Sequence, residues 1–136
     1  MKKIILAVLV STFLFGCQEK KNDQPQTATE TGTAFIRASL DGDFERIESL
    51  LLNDTTNHQL FESYRDTYSK WPADKKKNYK AASYDINKLE ELNDSVTIIN
   101  YSNSYMNKPM EIKLVRENKS WLVDFKYTFS GNQPLN

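Results

Sequence analysis

The sequence predicts an α+β domain in which helices pack on one face of an antiparallel sheet of about four strands. Three observations carry that reading. Apolar residues recur at helical spacing from Thr33 to Trp71, and beyond Ala82 the period drops to two. The alternating runs are separated by short polar clusters rich in Asn, Asp, Lys and Pro, which suit hairpin turns.

Phe35 with Ala38, and Ile36 with Leu40, form an apolar face on a first helix. Asp41-Gly42-Asp43 interrupts it: Gly42 suits the left-handed residue that ends a helix, and the Asp43 carboxylate can cap the next one. Phe44, Ile47 and Leu51 continue that second helix. Asn53 to Asn57 is a polar break with several possible caps. Phe61, Tyr64, Tyr68 and Trp71 then make one aromatic stripe on a third helix that Pro72 ends or bends. A further turn or two of helix runs from Ala73 to Lys80 and carries Lys75, Lys76, Lys77 and Lys80.

Tyr84 and Ile86 open a first strand, with Asn93-Asp94 as its tight turn. In the second strand Val96 and Ile98 lie on one face, Ile99 and Tyr101 on the other, so both faces are apolar. Asn107-Lys108-Pro109 turns the chain into Met110, Ile112 and Leu114, a half-buried third strand. Asn118 sits in the next turn. Trp121, Val123, Phe125, Tyr127 and Phe129 alternate with Leu122, Asp124, Lys126 and Thr128 and predict a long last strand.

The amino terminus reads differently. Lys2 and Lys3 precede an uncharged apolar run from Ile4 to Phe15, the layout of a secretory leader. Its twelve residues fall short of the roughly 20 that span a bilayer. Leu14-Phe15-Gly16-Cys17 contains the only cysteine and resembles the lipobox of bacterial lipoproteins. The resemblance implies a diacylglyceryl thioether on Cys17, cleavage after Gly16 and acylation of the new terminus. Gln18, rather than Asp, after Cys17 implies by the same likeness an outer-membrane lipoprotein, on the periplasmic face or the cell surface. The expected division is therefore a leader over 1–16, lipidated Cys17 and a flexible tether over 17–30, the domain over 31–129 and a polar tail over 130–136. As a flexible coil, the tether would hold the domain on the order of 20 Å from the membrane.

Removing residues 1–16 of 136 leaves 120, the size of one domain. Losing Lys2 and Lys3 from 18 basic residues leaves 16 against 18 acidic ones. That balance lacks the basic excess that nucleic-acid binding requires, so no nucleic acid is expected. With Cys17 lipidated no disulfide can form, and stability must come from packing.

Ala34-Phe35, Ala38, Asp41-Gly42-Asp43-Phe44 and Leu50-Leu51 resemble the opening of small bacterial lipoproteins of unknown function with a nuclear transport factor 2-like, cystatin-like cone domain. Lys113-Leu114-Val115-Arg116-Glu117-Asn118-Lys119-Ser120-Trp121 and the following Leu122-Val123-Asp124 are similar to their closing hairpin. The resemblance spans roughly Thr33 to Phe129 and implies a curved sheet wrapped around long helices, with a cavity at the open end. It is nearly silent on activity, since the fold hosts isomerases, dehydratases, binding modules and scaffolds.

Enzymes of that fold, such as ketosteroid isomerase, set a carboxylate base inside an apolar cone. Strand parity places Asp124 opposite Trp121 and Phe125, and Asp85 opposite Tyr84 and Ile86, so neither is expected inside. His58 has no converging partners, and neither metal nor cofactor is expected. The expectation is a non-catalytic binding module for a small ligand or a protein partner, anchored to the membrane through Cys17. Tyr64, Tyr68, Tyr84, Tyr101 and Trp121 are the expected cavity lining. An isomerase- or hydrolase-like enzyme in the cone, and a purely structural interaction protein using the sheet's outer face, are the rival readings. The lysines from Lys75 to Lys80 read as a solvated face, with contact to anionic headgroups as the alternative.

Overall fold

A computed structural model describes residues 24–132. The expected leader, Cys17 and the first half of the expected tether lie outside the described residues, as do residues 133–136. Helix α1 (Ala28–Asp41) begins inside the stretch expected to be tether. Its start is set by a reciprocal cap: the Glu30 amide donates to Thr27 Oγ1 (3.1 Å), and the Thr27 amide donates to the Glu30 carboxylate (3.2 Å). Gly42 ends the helix at φ 71°, and Asp43 caps α2 (Phe44–Ser49) by accepting from the Arg46 amide. Helix α3 (Thr55–Ser69) takes Asp54 as its cap, and Pro72 separates it from α4 (Ala73–Lys80). Trp71 falls between α3 and α4, just past the helix that carries the rest of the aromatic stripe.

The strands are β1 (Tyr84–Asn93), β2 (Val96–Asn103), β3 (Pro109–Glu117) and β4 (Ser120–Val123), paired antiparallel in sequence order. The first turn is Asp94-Ser95, one residue later than expected. Asn93 pairs with Val96, while its side chain accepts from the Ser95 amide and closes the turn from outside. Ile99, Tyr101, Ile112 and Leu114 face the helices and are buried. Val96, Ile98, Val115 and Leu122 point to the other face and stay half-exposed.

The largest departure from expectation is the end of the chain. The last strand stops at Val123, and helix α5 (Phe125–Asn132) follows, running into the stretch expected to be polar tail. An alternation of bulky residues over so short a run also allows a helix, because Phe125 and Thr128 share a face at i, i+3. Tertiary partners decide in favour of the helix. The Lys126 amide donates to the Asn57 side chain (2.7 Å), and the Thr128 amide donates to the Asp124 carbonyl (3.2 Å). Phe125 is thereby driven among Phe35, Phe61 and Tyr64, at centroid distances of 6.3, 5.9 and 6.0 Å.

These connections also close one side of the sheet. Leu50 and Leu52 exchange backbone hydrogen bonds with Val123, covering the free edge of β4 at its last residue. The Asp124 amide donates to the Lys113 carbonyl, and α5 lies along the rest of β3. At the other side β1 has no neighbour among the described residues, and nine of its ten residues are exposed.

Candidate functional site

The expected lining residues divide into two groups. Tyr64, Tyr68 and Tyr101 sit in the packed interface between helices and sheet. The Tyr64 hydroxyl lies beside that of Tyr79, with Tyr101 close by. Burial pushes all three phenols up from their ordinary range, because the enclosing side chains disfavour a phenolate. Tyr68 stands against Gly42, where its hydroxyl occupies the space a Cβ would need, and stacks between Phe44 and Trp71 at 5.0 Å from each. Burial and then the charge of Asp41 raise its pKa. From Phe44 the rings continue through Tyr68, Trp71, Tyr79 and Tyr105 as one row of contacts. Tyr84 is half-buried at the start of β1 against the same core.

Trp121 stands apart from that row. It lies half-exposed on β4 beneath the start of α1, where the Thr31 hydroxyl approaches its carbonyl at 3.4 Å. Two surface grooves meet at its indole. The larger, about 720 Å³, runs between the α1 start and the sheet, with Leu89 and Trp121 as its apolar walls and Arg116, Glu91 and Asp94 as its charges. The second, about 490 Å³, opens toward the β3–β4 turn and the chain from Gln24 to Gln26. Tyr64, Tyr68, Tyr84 and Tyr101 border neither. A third groove, about 690 Å³ and polar, crosses the sheet's outer face and contains Asp85, Asn87, Asn100 and Ser102.

Sequence parity misplaced Asp124. Because the strand ends one residue earlier, the side chain does not alternate outward but turns in at the β4–α5 corner, leaving the residue 7% exposed. It sits between Lys113 (3.4 Å) and Lys126 (3.5 Å), and Lys126 also binds Asp54 (2.8 Å). The ammonium of Lys126 and the amide of Asn57 hold the Asp54 carboxyl below its usual range, and that carboxylate raises Lys126 in return. This cluster borders none of the three grooves. Asp85 is exposed.

His58 pairs with Asn53 (3.0 Å) at the surface, and the described residues hold no group of three or more His, Cys, Asp or Glu arranged for a metal. Of the α4 lysines, Lys77 and Lys80 are exposed, while Lys75 and Lys76 are half-buried. Lys75 lies 4.0 Å from the Trp71 ring centroid, and Lys76 covers Tyr68 while donating to the Ser69 carbonyl.

Sequence reasoning missed Asn57 and Arg37. Asn57 is fully buried and bonds Asp54, the Leu52 carbonyl and the Lys126 amide. Arg37 donates to the carbonyls of Lys80 and Ala82, satisfying the end of α4. Their partners lie 69 and 43 to 45 residues away, so no local pattern marks them. The chain matches no protein-family model, curated protein or solved structure compared with it.

Proposed function

We propose that this is an outer-membrane lipoprotein, anchored through a lipid on Cys17, whose domain is a non-catalytic binding module for a small ligand or a protein partner. The observation that carries the binding reading is the groove at Trp121. Its volume falls in the range of ligand sites, and it joins an indole and a leucine side chain to one guanidinium and two carboxylates. Such a lining suits a ligand with an apolar face and polar substituents, such as a glycan or a short peptide. The groove lies beside Gln26, where the chain enters from the amino-terminal side, so the module would present it toward its anchor. A cone-shaped, nuclear transport factor 2-like curvature of the sheet belongs to the same proposal.

A single experiment addresses the binding reading: thermal melts of the protein against panels of glycans, peptides, lipids and sterols, repeated with Trp121→Ala. A ligand at 100 times its dissociation constant adds about 2.7 kcal/mol, a rise on the order of 10 °C for a domain of this size. Trp121→Ala should abolish that rise; an unchanged melting curve with every panel would refute the reading. The anchor is read separately from the intact mass of the exported protein, which should lack residues 1–16 and carry acyl chains. The enzymatic alternative draws on one observation, the buried Asp124. Held between two lysines at a helix start, that carboxylate reads as a structural counter-ion, and the non-catalytic proposal stands on the groove.

A further inference from the structure

We propose that β1 is a self-association edge, along which two copies of this chain join antiparallel, with Leu89 meeting Leu89 of the second copy, to form one continuous eight-stranded sheet. The edge strand of the opposite side is shielded by Leu50 to Leu52 and by α5, so the open hydrogen-bonding edge is concentrated on β1. An uncovered strand of ten residues is a template for another strand. Its apolar residues are also uncovered: Ile86, Leu89 and Leu92 are 38, 40 and 55% exposed.

Charge selects the occupant. Around Leu89 the strand reads Lys88-Leu89-Glu90, and Lys88 and Glu90 project to the outer face while Leu89 projects to the helix face with its neighbour Ile99. An antiparallel copy centred on Leu89 sets Lys88 opposite Glu90 of that copy and Glu90 opposite its Lys88. Two opposite-charge cross-strand pairs then flank one apolar pair. Within one chain Lys88 and Glu90 already pair at 2.8 Å, so the exchange keeps each charge partnered. The strand is irregular at Asn87 and Leu92, bulges of the kind that blunt edges, but the register from Lys88 to Glu91 between them is continuous. Leu89 also borders the Trp121 groove, so the dyad would bring the grooves of the two copies close to one another.

The test uses the full chain in mild detergent at micromolar concentration, carrying Leu89→Cys and treated with a short bis-maleimide, with the unsubstituted chain as the blank. Leu89→Cys should give a covalent dimer, whereas Asp94→Cys, about 30 Å from its counterpart in this register, should not. Adding Lys88→Glu or Glu90→Lys to Leu89→Cys opposes like charges twice and should cut cross-linking about tenfold. Mixing those two charge variants should restore it, because each then presents the charge the other lacks. These side chains are exposed, and recovery in the mixture shows that each variant is folded. Absence of the Leu89→Cys dimer, equal cross-linking at Asp94, or indifference to the charge reversals or to their mixing would overturn the proposal.

Discussion

At the scale of single residues, the fold depends on side chains whose partners are far away in sequence. The Asn57 side chain donates to the Asp54 carboxylate that caps its own helix and accepts from the Lys126 amide at the start of α5, with no exposed surface. Replacing it with Ala leaves the Lys126 amide without its acceptor and removes one of the two donors to the Leu52 carbonyl, which keeps the Asp54 amide. Asn57→Ala should lower the unfolding free energy by about 3 kcal/mol, read as a lower urea midpoint at unchanged slope. The enclosed phenols of Tyr64, Tyr79 and Tyr101 make a second prediction. Unfolded, each ionises at the ordinary tyrosine value of 10.0, while folded each holds its proton to higher pH. The unfolded chain therefore loses protons first, so their stabilising contribution is complete below pH 10 and falls away as pH rises beyond it. In an alkaline titration, tyrosinate absorbance from these three residues should appear together with loss of the far-ultraviolet helical signal, not before it.

At the scale of elements, turn chemistry and packing make separate demands. The β3–β4 turn places both Asn118 (φ 49°) and Lys119 (φ 67°) in the left-handed region, where Asn is tolerated and Lys is strained. Lys119→Gly should stabilise the protein by about 1 kcal/mol in chemical denaturation, with the Trp121 environment unchanged in fluorescence. Phe125 packs the start of helix α5 into the core, beside the bond from the Lys126 amide to Asn57. Phe125 is 3% exposed and touches three other rings, so Phe125→Ala should destabilise by about 4 kcal/mol. It should also speed hydrogen exchange in β3, whose edge α5 covers. Both elements were only half legible. Asn118 announced its turn, but the alternation after Trp121 answers to strand and helix alike until the aromatic cluster and Asn57 are in place.

At the scale of the molecule, the order of helices then strands was legible, and so was the break at Gly42 and Asp43, because caps and periodicity are local. The geometry of the ends was not. Helix α1, about 20 Å long, carries the chain's entry and the Trp121 groove at its start, and α4 contacts its other end through Arg37. The lysine-bearing helix thus lies away from the point where the chain enters α1. Two of its four cations are already committed to Trp71 and Tyr68. A Cys17→Ala variant without residues 1–16 should therefore show no salt-sensitive binding to vesicles rich in anionic phospholipid, measured by co-sedimentation across an ionic-strength series. Vesicle binding that weakens with salt and disappears in Lys77→Ala, Lys80→Ala would reverse that assignment.

What the sequence alone determined is whatever short-range chemistry specifies: the α+β order, the capped helix starts, the turn at Asn118 and the apolar stripes of β2 and β3. Tertiary structure decided where those stripes found partners. It turned the stretch after Val123 into a helix, buried Asp124 against two lysines, set Trp121 at a groove and left the outer edge of β1 uncovered among the described residues. Each outcome depends on groups tens of residues apart meeting in space, and hydrogen bonds, ion pairs and ring contacts of that kind leave no periodic trace in the chain.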